Sequence, residues 1–542
     1  MERSEIKGAL MLALGGCLLL AACNPAVPDD KNPSSGNAYY TEPHRPQFHF
    51  SPDSMWMNDP NGMVYYNGEY HLFYQYYPDS TVWGPMHWGH AVSRDLVRWE
   101  HLPIALYPDS LGLIFSGSAV VDWNNTSGFG QNGQPPMIAI FTQHLMAGEK
   151  AGRNDFQYQS IAYSNDRGRT WTKYEGNPVI PNPGLRDFRD PKVTWDAGSS
   201  QWIMVFAVRD HATFYGSKDL KHWEHLSDFG QEWGSHGGVW ECPDFFPVKV
   251  EGSGVQKWVL LQSINPGAYN GGSGTQYFVG DFDGRKFTLD PGFAPAVRPY
   301  SSGVEQAVWL DYGRDNYAGV TWSDIPPSDG RRIFIGWMSN WDYAQSVPTG
   351  VWRSASTLPR SLTLRETPEG LRLAAQPVKE LESLRKGEKV FDIGSLEDEK
   401  ELTADLGFPV GPMEIACDFQ LSNGSRPVFS LVLSNSKGEI YRIGYDGTKN
   451  AWFSDRRLAG DTEFSSNFAQ AVHYAPAPDI RENQSMRVFF DVSSAELFAA
   501  DGRINLTDLF FPTEDFNRLT VVCKGGEVEN LRVTCYQLDP IW

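Results

Sequence analysis

Ser93-Arg94-Asp95-Leu96-Val97-Arg98-Trp99 is a string that returns along the chain. Ser164-Asn165-Asp166-Arg167-Gly168-Arg169-Thr170-Trp171 and Ser217-Lys218-Asp219-Leu220-Lys221-His222-Trp223 repeat it, and Gly280-Asp281-Phe282-Asp283-Gly284-Arg285-Lys286-Phe287 is a weaker copy. Each copy follows a short apolar run: Gly89–Val92, Ser160–Tyr163, Ala212–Tyr215 and Gln276–Val279. The Ser-x-Asp piece reads as a turn, because such side chains hydrogen-bond nearby backbone, and the aromatic residue starts or packs the next strand. The copies start at 93, 164, 217 and 280, spaced 71, 53 and 63 residues apart. Repeats of this size, each a small sheet, point to a β-propeller with loops of unequal length. Five blades would fill residues 43–365; a large β-sandwich is the structural alternative, kept open by the uneven spacing.

Working outward, Met63–Tyr66, Asn67-Gly68 and Glu69–Tyr77 read as a hairpin on a two-residue turn. Near Arg360 the texture changes. Leu373–Arg385 reads as a short helix-like connector inside a linker at 366–389. Alternation then returns at Met413–Leu421, Val428–Leu433, Ile440–Ile443, Met486–Val492, Ala495–Ala499, Leu519–Val522 and Leu531–Leu538, which predicts an antiparallel β-sandwich over 390–542. The expected fold class is all-β: a five-bladed β-propeller followed by a C-terminal β-sandwich.

Composition bounds the partners. Aromatics make up 13% of the chain, with 19 Trp and 23 Tyr, more than cores usually need; sugar-binding clefts use such rings, as do β-rich folds. Lys and Arg total 46 against 66 Asp and Glu, a net charge of −20, which argues against nucleic acid or a polyanionic substrate and suits a neutral ligand. Arg3 and Lys7 precede an apolar run from Ala9 to Ala22, too short to span a membrane, that ends Leu20-Ala21-Ala22-Cys23. This predicts a lipoprotein signal over 1–22, lipid on Cys23 and a tether over 23–42 rich in Pro, Asp, Ser and Gly. The alternative is an ordinary secretory peptide cut after Ala22. Cys242, Cys417, Cys523 and Cys535 show no CxxC spacing. Cys523 and Cys535 could pair across strands; buried free thiols are the expectation.

Three acids stand alone among aromatic, Pro or apolar neighbours, whereas solvated acids usually sit in polar runs. They are Asp59 in Trp56-Met57-Asn58-Asp59-Pro60-Asn61-Gly62, Asp190 in Asp187-Phe188-Arg189-Asp190-Pro191, and Glu241 in Trp240-Glu241-Cys242-Pro243-Asp244. In a propeller, residues at the inner ends of different blades converge on one cavity. Hydrolysis of a glycosidic bond needs two carboxyl groups, one attacking the anomeric carbon or activating water, the other protonating the leaving oxygen. Asp59, read as lying in a turn just before a strand, is expected to stay ionised through donors from Asn58 and backbone N–H groups. Glu241, among Trp240, Cys242 and Pro243, is expected to lose hydration and become the acid. Arg189 beside Asp190 reads as an ion-paired clamp for sugar hydroxyls.

Trp56–Gly62 resembles the signature of glycoside hydrolase family 32, the invertase, inulinase and levanase enzymes. Phe73-Tyr74-Gln75-Tyr76-Tyr77-Pro78, Trp83, Trp88-Gly89-His90, Phe115-Ser116-Gly117-Ser118, Arg189-Asp190-Pro191, Trp240-Glu241-Cys242-Pro243 and Ser339-Asn340-Trp341 are similar to the family's later motifs, in order. Asp455-Arg456 and Phe490–Phe498 resemble its sandwich. Tyr77 departs from the Asn that relatives often carry, which bears on subsite preference. The resemblance implies a retaining β-fructosidase on levan, inulin or sucrose, exo-acting with release of fructose. Asp59 is then the nucleophile, Glu241 the acid and base, Asp190 the transition-state stabiliser. Trp56, Met57, Asn58, Gln75, Trp83, Phe115, Ser116, Arg189 and Trp341 form the sugar site. Retention implies carboxyl groups about 5–5.5 Å apart. An endo-acting levanase, a fructosyltransferase and a non-catalytic glycan-binding lipoprotein are the alternatives; an inverting arabinan hydrolase is disfavoured by the Trp56–Gly62 string.

No metal and no organic cofactor is expected: His87, His90 and His236 read as packing or hydrogen-bonding residues, and Asp187, Asp244 and Asp315 as supporting or turn residues. Trp99, Trp171 and Trp223 read as blade packing, and the sandwich as a buttress. The expected partners are a fructan or fructo-oligosaccharide and a bacterial membrane reached through Cys23, at the cell surface or facing the periplasm, with the chain a monomer. Replacing Cys23 by Ser is expected to move the protein from the membrane pellet to the soluble fraction; an unchanged partition would refute the anchor.

Overall fold

The computed structural model describes residues 40–297, 307–422, 424–477 and 482–542. The signal, Cys23 and the tether up to residue 39 lie outside the described residues. The tether's last residues belong to the folded body: Tyr40 stacks on Trp542 with ring centroids 4.1 Å apart, and Glu42 pairs with the buried Arg45.

Five sheets form the first part, among the described residues. The first holds Met55–Tyr66, Glu69–Tyr77, His87–Ser93 and Trp99–Leu106. The second holds Leu113–Val121, Met137–His144, Gln157–Ser164 and Thr172–Lys173; the third Phe188–Asp196, Gln201–Val208, His211–Ser217 and Trp223–Phe229. The fourth is Val239–Lys249, Gln256–Asn265, Gly274–Phe282 and Phe287–Leu289, and the fifth Tyr317–Thr321, Arg332–Met338, Arg360–Thr367 and Gly370–Pro377. The first strand of each sheet touches the first strand of the next, and Tyr317–Thr321 touches Met55–Tyr66, so the ring closes as a five-bladed propeller. The short strand Trp352–Arg353 adds, parallel, to Met55-Trp56 and ties the end of the ring to its beginning.

Each repeated Ser-x-Asp string is the hairpin between the third and outermost strands of one of the first four blades. The Asp carboxylate makes the turn: Asp95 accepts from the Val97 and Arg98 N–H groups at 3.0 and 2.8 Å, and Asp219 from Lys221 and His222 at 2.9 and 2.8 Å. The fifth blade turns instead on two residues, with Thr367 paired to Gly370, which is why no fifth echo exists in the sequence.

The linker at 366–389 is corrected. Gly370–Pro377 pairs along its whole length with Arg360–Thr367 and is the outer strand of the fifth blade. Leu371, Leu373 and Ala375 bury one face against the fourth-blade core, and that two-residue period outweighs the helix preference of Leu and Ala. Only the 3-10 turn Lys379–Leu384 connects the two parts, and Arg385–Leu396 is already a strand of the second.

That second part is two six-stranded sheets enclosing Met413, Ile415, Phe429, Leu431, Tyr441, Val488, Leu497 and Val533. Alternation did not reveal five strands: Arg385–Leu396, Glu399–Glu401, His473–Pro476 and Ile504–Leu509, which are the four sheet edges, and Ala451–Leu458, which lies inside its sheet. Edge positions tolerate polar and irregular sequence, so their signal is weak. Cys242, Cys417, Cys523 and Cys535 are all free and buried.

The two parts meet over an apolar seam, with Phe489 and Phe498 against Phe48, Leu358, Val378 and Leu381, threaded by buried charge. Arg360, fully buried, donates to Asp311 at 2.8 Å, Glu496 at 2.5 Å and Thr507 at 2.6 Å. His49 bridges Asp491 and Glu496 at 2.7 and 2.9 Å. Arg456 reaches Asp315 at 2.5 Å and the Tyr343 hydroxyl at 2.8 Å.

Burial opposes charge on His49, but the two carboxylates outweigh it and raise its pKa to about 9. A His pKa raised on folding stabilises fully below the unfolded value of about 6.5, and that stabilisation is lost as pH rises through about 9. The stability of wild type against denaturation is therefore expected to fall between pH 6.5 and 9 more steeply than that of His49→Gln. Arg360→Ala strands Asp311 and Glu496 and is expected to cost about 3–5 kcal/mol by urea denaturation.

Candidate active site

All five inner strands carry the same irregularity at the same height. Each pairs normally with its second strand except where two residues face one: 58–59 against Gln75, 115–116 against Thr142, 190–191 against Phe206, 242–243 against Gln262, and 318–319 against Gly336. Asp190, Cys242 and Ala318 have φ of +65°, +44° and +52°. Such a bulge twists the strand and re-aims a side chain that regular alternation would place elsewhere. The expectation of a turn before the first strand is corrected: Trp56–Gly62 lies inside Met55–Tyr66, twice bulged. Gly62 has φ +57°, and a Cβ there would lie 2.6 Å from Phe73 and 2.8 Å from Trp88.

These bulges bring Asp59, Asp190 and Glu241 together from blades one, three and four. Asp59 accepts from the Ser116 hydroxyl at 2.7 Å, Asn58 Nδ2 at 3.0 Å and the Cys242 thiol at 3.4 Å. Asn58 is itself set by Trp56, whose indole N–H donates to it at 2.7 Å. The backbone donors expected at Asp59 are side chains of other blades instead. Its pKa is raised, not held down: burial and the Glu241 charge outweigh the hydrogen bonds from Ser116, Asn58 and Cys242. Asp190 accepts the Cys242 N–H at 3.0 Å, and its own N–H donates to Thr142 at 2.9 Å. Burial raises its pKa to about 7, with Arg189 opposing and Glu241 and Asp59 adding to the rise.

Glu241 has partners that its neighbours in sequence do not announce. Arg189 Nη2 donates to it at 2.9 Å, and the Tyr317 hydroxyl holds its other oxygen. Arg189 is steadied by Asp187 at 2.7 Å and lies 3.8 Å from Asp190, so one guanidinium touches three acids. The Cys242 thiol, raised well above its ordinary pKa by burial and by Asp190, Asp59 and Glu241, stays a donor shared between Asp59 and Asp190 at 3.4 and 3.6 Å.

Around these acids Trp56, Trp337 and Tyr317 make a buried floor, and Tyr77, Trp83, Phe115 and Trp341 a partly exposed rim. Trp341 packs on Trp337 at 4.9 Å, and Trp83 edge-on to Phe115 at 6.1 Å. Gln75 is buried, and its side-chain nitrogen has no partner among the described residues, which leaves a donor for a ligand. Met57 is the one proposed sugar contact that turns away: next to Trp56 on a strand, it packs on the opposite face with Phe48, Phe50 and Tyr74. Trp56 is fully buried and positions Asn58.

Sequence reasoning missed Tyr317, Thr142 and the donor role of Cys242. Tyr317 sits in no motif; its only signal is that it opens the inner strand of the fifth blade. Of the histidines, His90 pairs with His71 at 3.0 Å, while His87 and His236 bond to backbone carbonyls.

A propeller that gathers three carboxyl groups, an arginine and an aromatic rim at one end of its axis has the equipment of a glycosidase. The chain matches the Glycosyl hydrolases family 32 N-terminal domain over residues 49–377 and the family's C-terminal domain over 380–537, and it belongs to that family. It is 48% identical to a levanase of Bacillus subtilis over 517 residues, 94% of this chain and 72% of that one. It is 39% identical to an extracellular exo-inulinase of Aspergillus niger over 526 residues, 93% of this chain and 96% of that one. The crystal structure of exo-inulinase from Aspergillus awamori superposes with a TM-score of 0.83 at 36% identity, covering 93% of this chain and 100% of that one. The protein is a family 32 glycosidase, a hydrolase of fructans or sucrose.

Ser116→Ala removes a hydrogen bond that favours the Asp59 carboxylate. The acid limb of kcat/KM is expected to move to higher pH, with a loss of roughly 10- to 100-fold, the worth of a hydrogen bond to a charged group. An unmoved acid limb would show that Ser116 does not act through Asp59.

Proposed function

We propose that the protein is a retaining, exo-acting β-fructosidase that releases fructose from the ends of levan or inulin chains and from sucrose. The observation that carries this reading is the different company kept by two acids in one pocket. Among the described residues Asp59 is held by three uncharged donors and no cation, ready to attack the anomeric carbon. Glu241 is held by Arg189 and Tyr317, both able to stay in place as its proton moves.

In the first step Asp59 displaces the leaving sugar while Glu241 gives its proton to the glycosidic oxygen. In the second Glu241 takes a proton from water, which attacks the fructosyl-enzyme and frees Asp59. Asp190 and Gln75 hold hydroxyls of the fructosyl ring, and Trp83, Phe115 and Trp341 pack its apolar edges. The exo reading is supported by similarity along nearly the full length of Aspergillus exo-inulinases. The protein acts as a monomer, anchored outside the cytoplasm through Cys23. Protease treatment of intact cells tests whether it faces the medium; full protection places it in the periplasm.

Early products from levan, inulin and sucrose test the mode. Fructose alone in the first minutes is expected; a ladder of oligosaccharides would make the enzyme endo-acting. Asp59→Ala and Glu241→Gln are each expected to lower kcat by several orders of magnitude with the fold retained. Activity like that of wild type in either would overturn the roles assigned.

A further inference from the structure

We propose that the propeller face opposite the catalytic pocket carries a second carbohydrate-binding surface, formed by the exposed indoles of Trp123 and Trp195, which holds fructan chains; the proposal rests on the fructan reading above.

The inner strands run in one direction through the ring. Asp59, Ser116, Asp190 and Tyr317 lie in their early halves, so the residues at their far ends, Tyr66, Trp123, Trp195 and Asp324, gather at the other mouth of the axis. There two tryptophans stand in the open: Trp123 is 58% exposed and Trp195 36%. Neither is a loose side chain. Trp123 donates its indole N–H to Asp324 at 2.8 Å and stands edge-on to Tyr66, ring centroids 5.7 Å apart. Its turn is knotted by the buried Asp122, which accepts from the Thr126 and Ser127 N–H groups at 2.8 and 2.7 Å. Thr126 in the same turn receives the Trp202 indole N–H at 2.9 Å, and Trp195 stands edge-on to Trp202 at 5.1 Å. Tyr66–Trp123 and Trp202–Trp195 are thus two aromatic pairs joined by the Asp122–Ser127 turn.

The construction points to a saccharide. In each pair a neighbouring ring braces an outer indole, Tyr66 against Trp123 and Trp202 against Trp195, and part of the outer indole stays open to solvent. Flat rings held rigid take the C–H face of a sugar at little cost in side-chain entropy. Polar neighbours flank them: Asn124 and Asn125 are exposed beside Trp123, and the carboxylate of Asp196 follows Trp195. A net charge of −20 disfavours anionic partners and leaves neutral polysaccharide unopposed. A polymer held at this face is kept near the pocket as its ends are consumed, which raises the effective concentration of chain ends.

Native electrophoresis of the full-length protein in mild detergent, through gels containing levan or inulin, tests the proposal. Glu241→Gln serves as parent so that the polymer survives the run. The parent is expected to be retarded, and adding Trp123→Ala and Trp195→Ala to reduce the retardation at least threefold. Trp123→Phe, which keeps a ring against Tyr66, is expected to retain most of it. With Glu241 intact, the double Ala variant is expected to hydrolyse sucrose with kcat/KM within twofold of wild type and polymer several-fold more slowly. Retardation unchanged by the double Ala variant, or lost equally with Phe and with Ala, overturns the platform while leaving the enzymatic reading standing. A wild-type protein that releases nothing from any fructan removes the reading on which the platform rests.

Discussion

Five bulges at one height of one ring are the constraint on which the site depends. A regular inner strand sends alternate side chains to its two faces, into the packing between blades. Opposing two residues to one breaks that rhythm in every blade and re-aims Asn58-Asp59, Phe115-Ser116, Asp190 and Cys242. Some of these residues take positive φ, a strain that an isolated strand would relax. Two of the residues that face a bulge help to hold it: Thr142 takes the Asp190 N–H, and Gln262 donates to the Glu241 carbonyl at 2.9 Å.

Gathering three carboxylates is itself costly. Like charges in a low-dielectric pocket repel, and the rise of Asp190 to about 7 reflects that repulsion together with burial. The protein does not neutralise each acid with its own cation. Arg189 is shared, and the rest of the load falls on neutral donors: Ser116, Asn58, Cys242 and Tyr317. This keeps the acids different from one another. Glu241 takes the guanidinium and a phenol, Asp59 only uncharged donors, and Asp190 a backbone N–H with the guanidinium 3.8 Å away.

The second part of the chain reaches the site through charge as well as packing. Arg456, from the sandwich, holds the Tyr343 hydroxyl, and Tyr343 follows by two residues the Trp341 of the pocket rim. Arg360 and Glu496 fix the fifth blade, which supplies Tyr317, against the sandwich. The buttress role expected from sequence therefore has a specific target: the blade and the loop that close one side of the pocket.

The sequence by itself determined the all-β class, the blade hairpins and the identity of the three acids. Those signals are local. A Ser-x-Asp turn is made by hydrogen bonds within a few residues, and an acid set among aromatic and Pro residues is visible wherever it falls. The tertiary structure alone decided the outer strand of the fifth blade, the polar edge strands of the sandwich, and the partners of each acid. Leu373–Ala375 reads as the start of a helix until the fourth-blade core offers it a flat apolar face. Nothing beside Glu241 in the chain announces Arg189 and Tyr317, 52 residues before it and 76 after it, which close on its two oxygens. Met57 reads as a sugar contact until strand alternation turns it into the core beside Phe48 and Phe50. In each case the deciding energy comes from contacts between distant segments, and a pKa or a side-chain direction is a property of that assembled neighbourhood, which no short window of sequence contains.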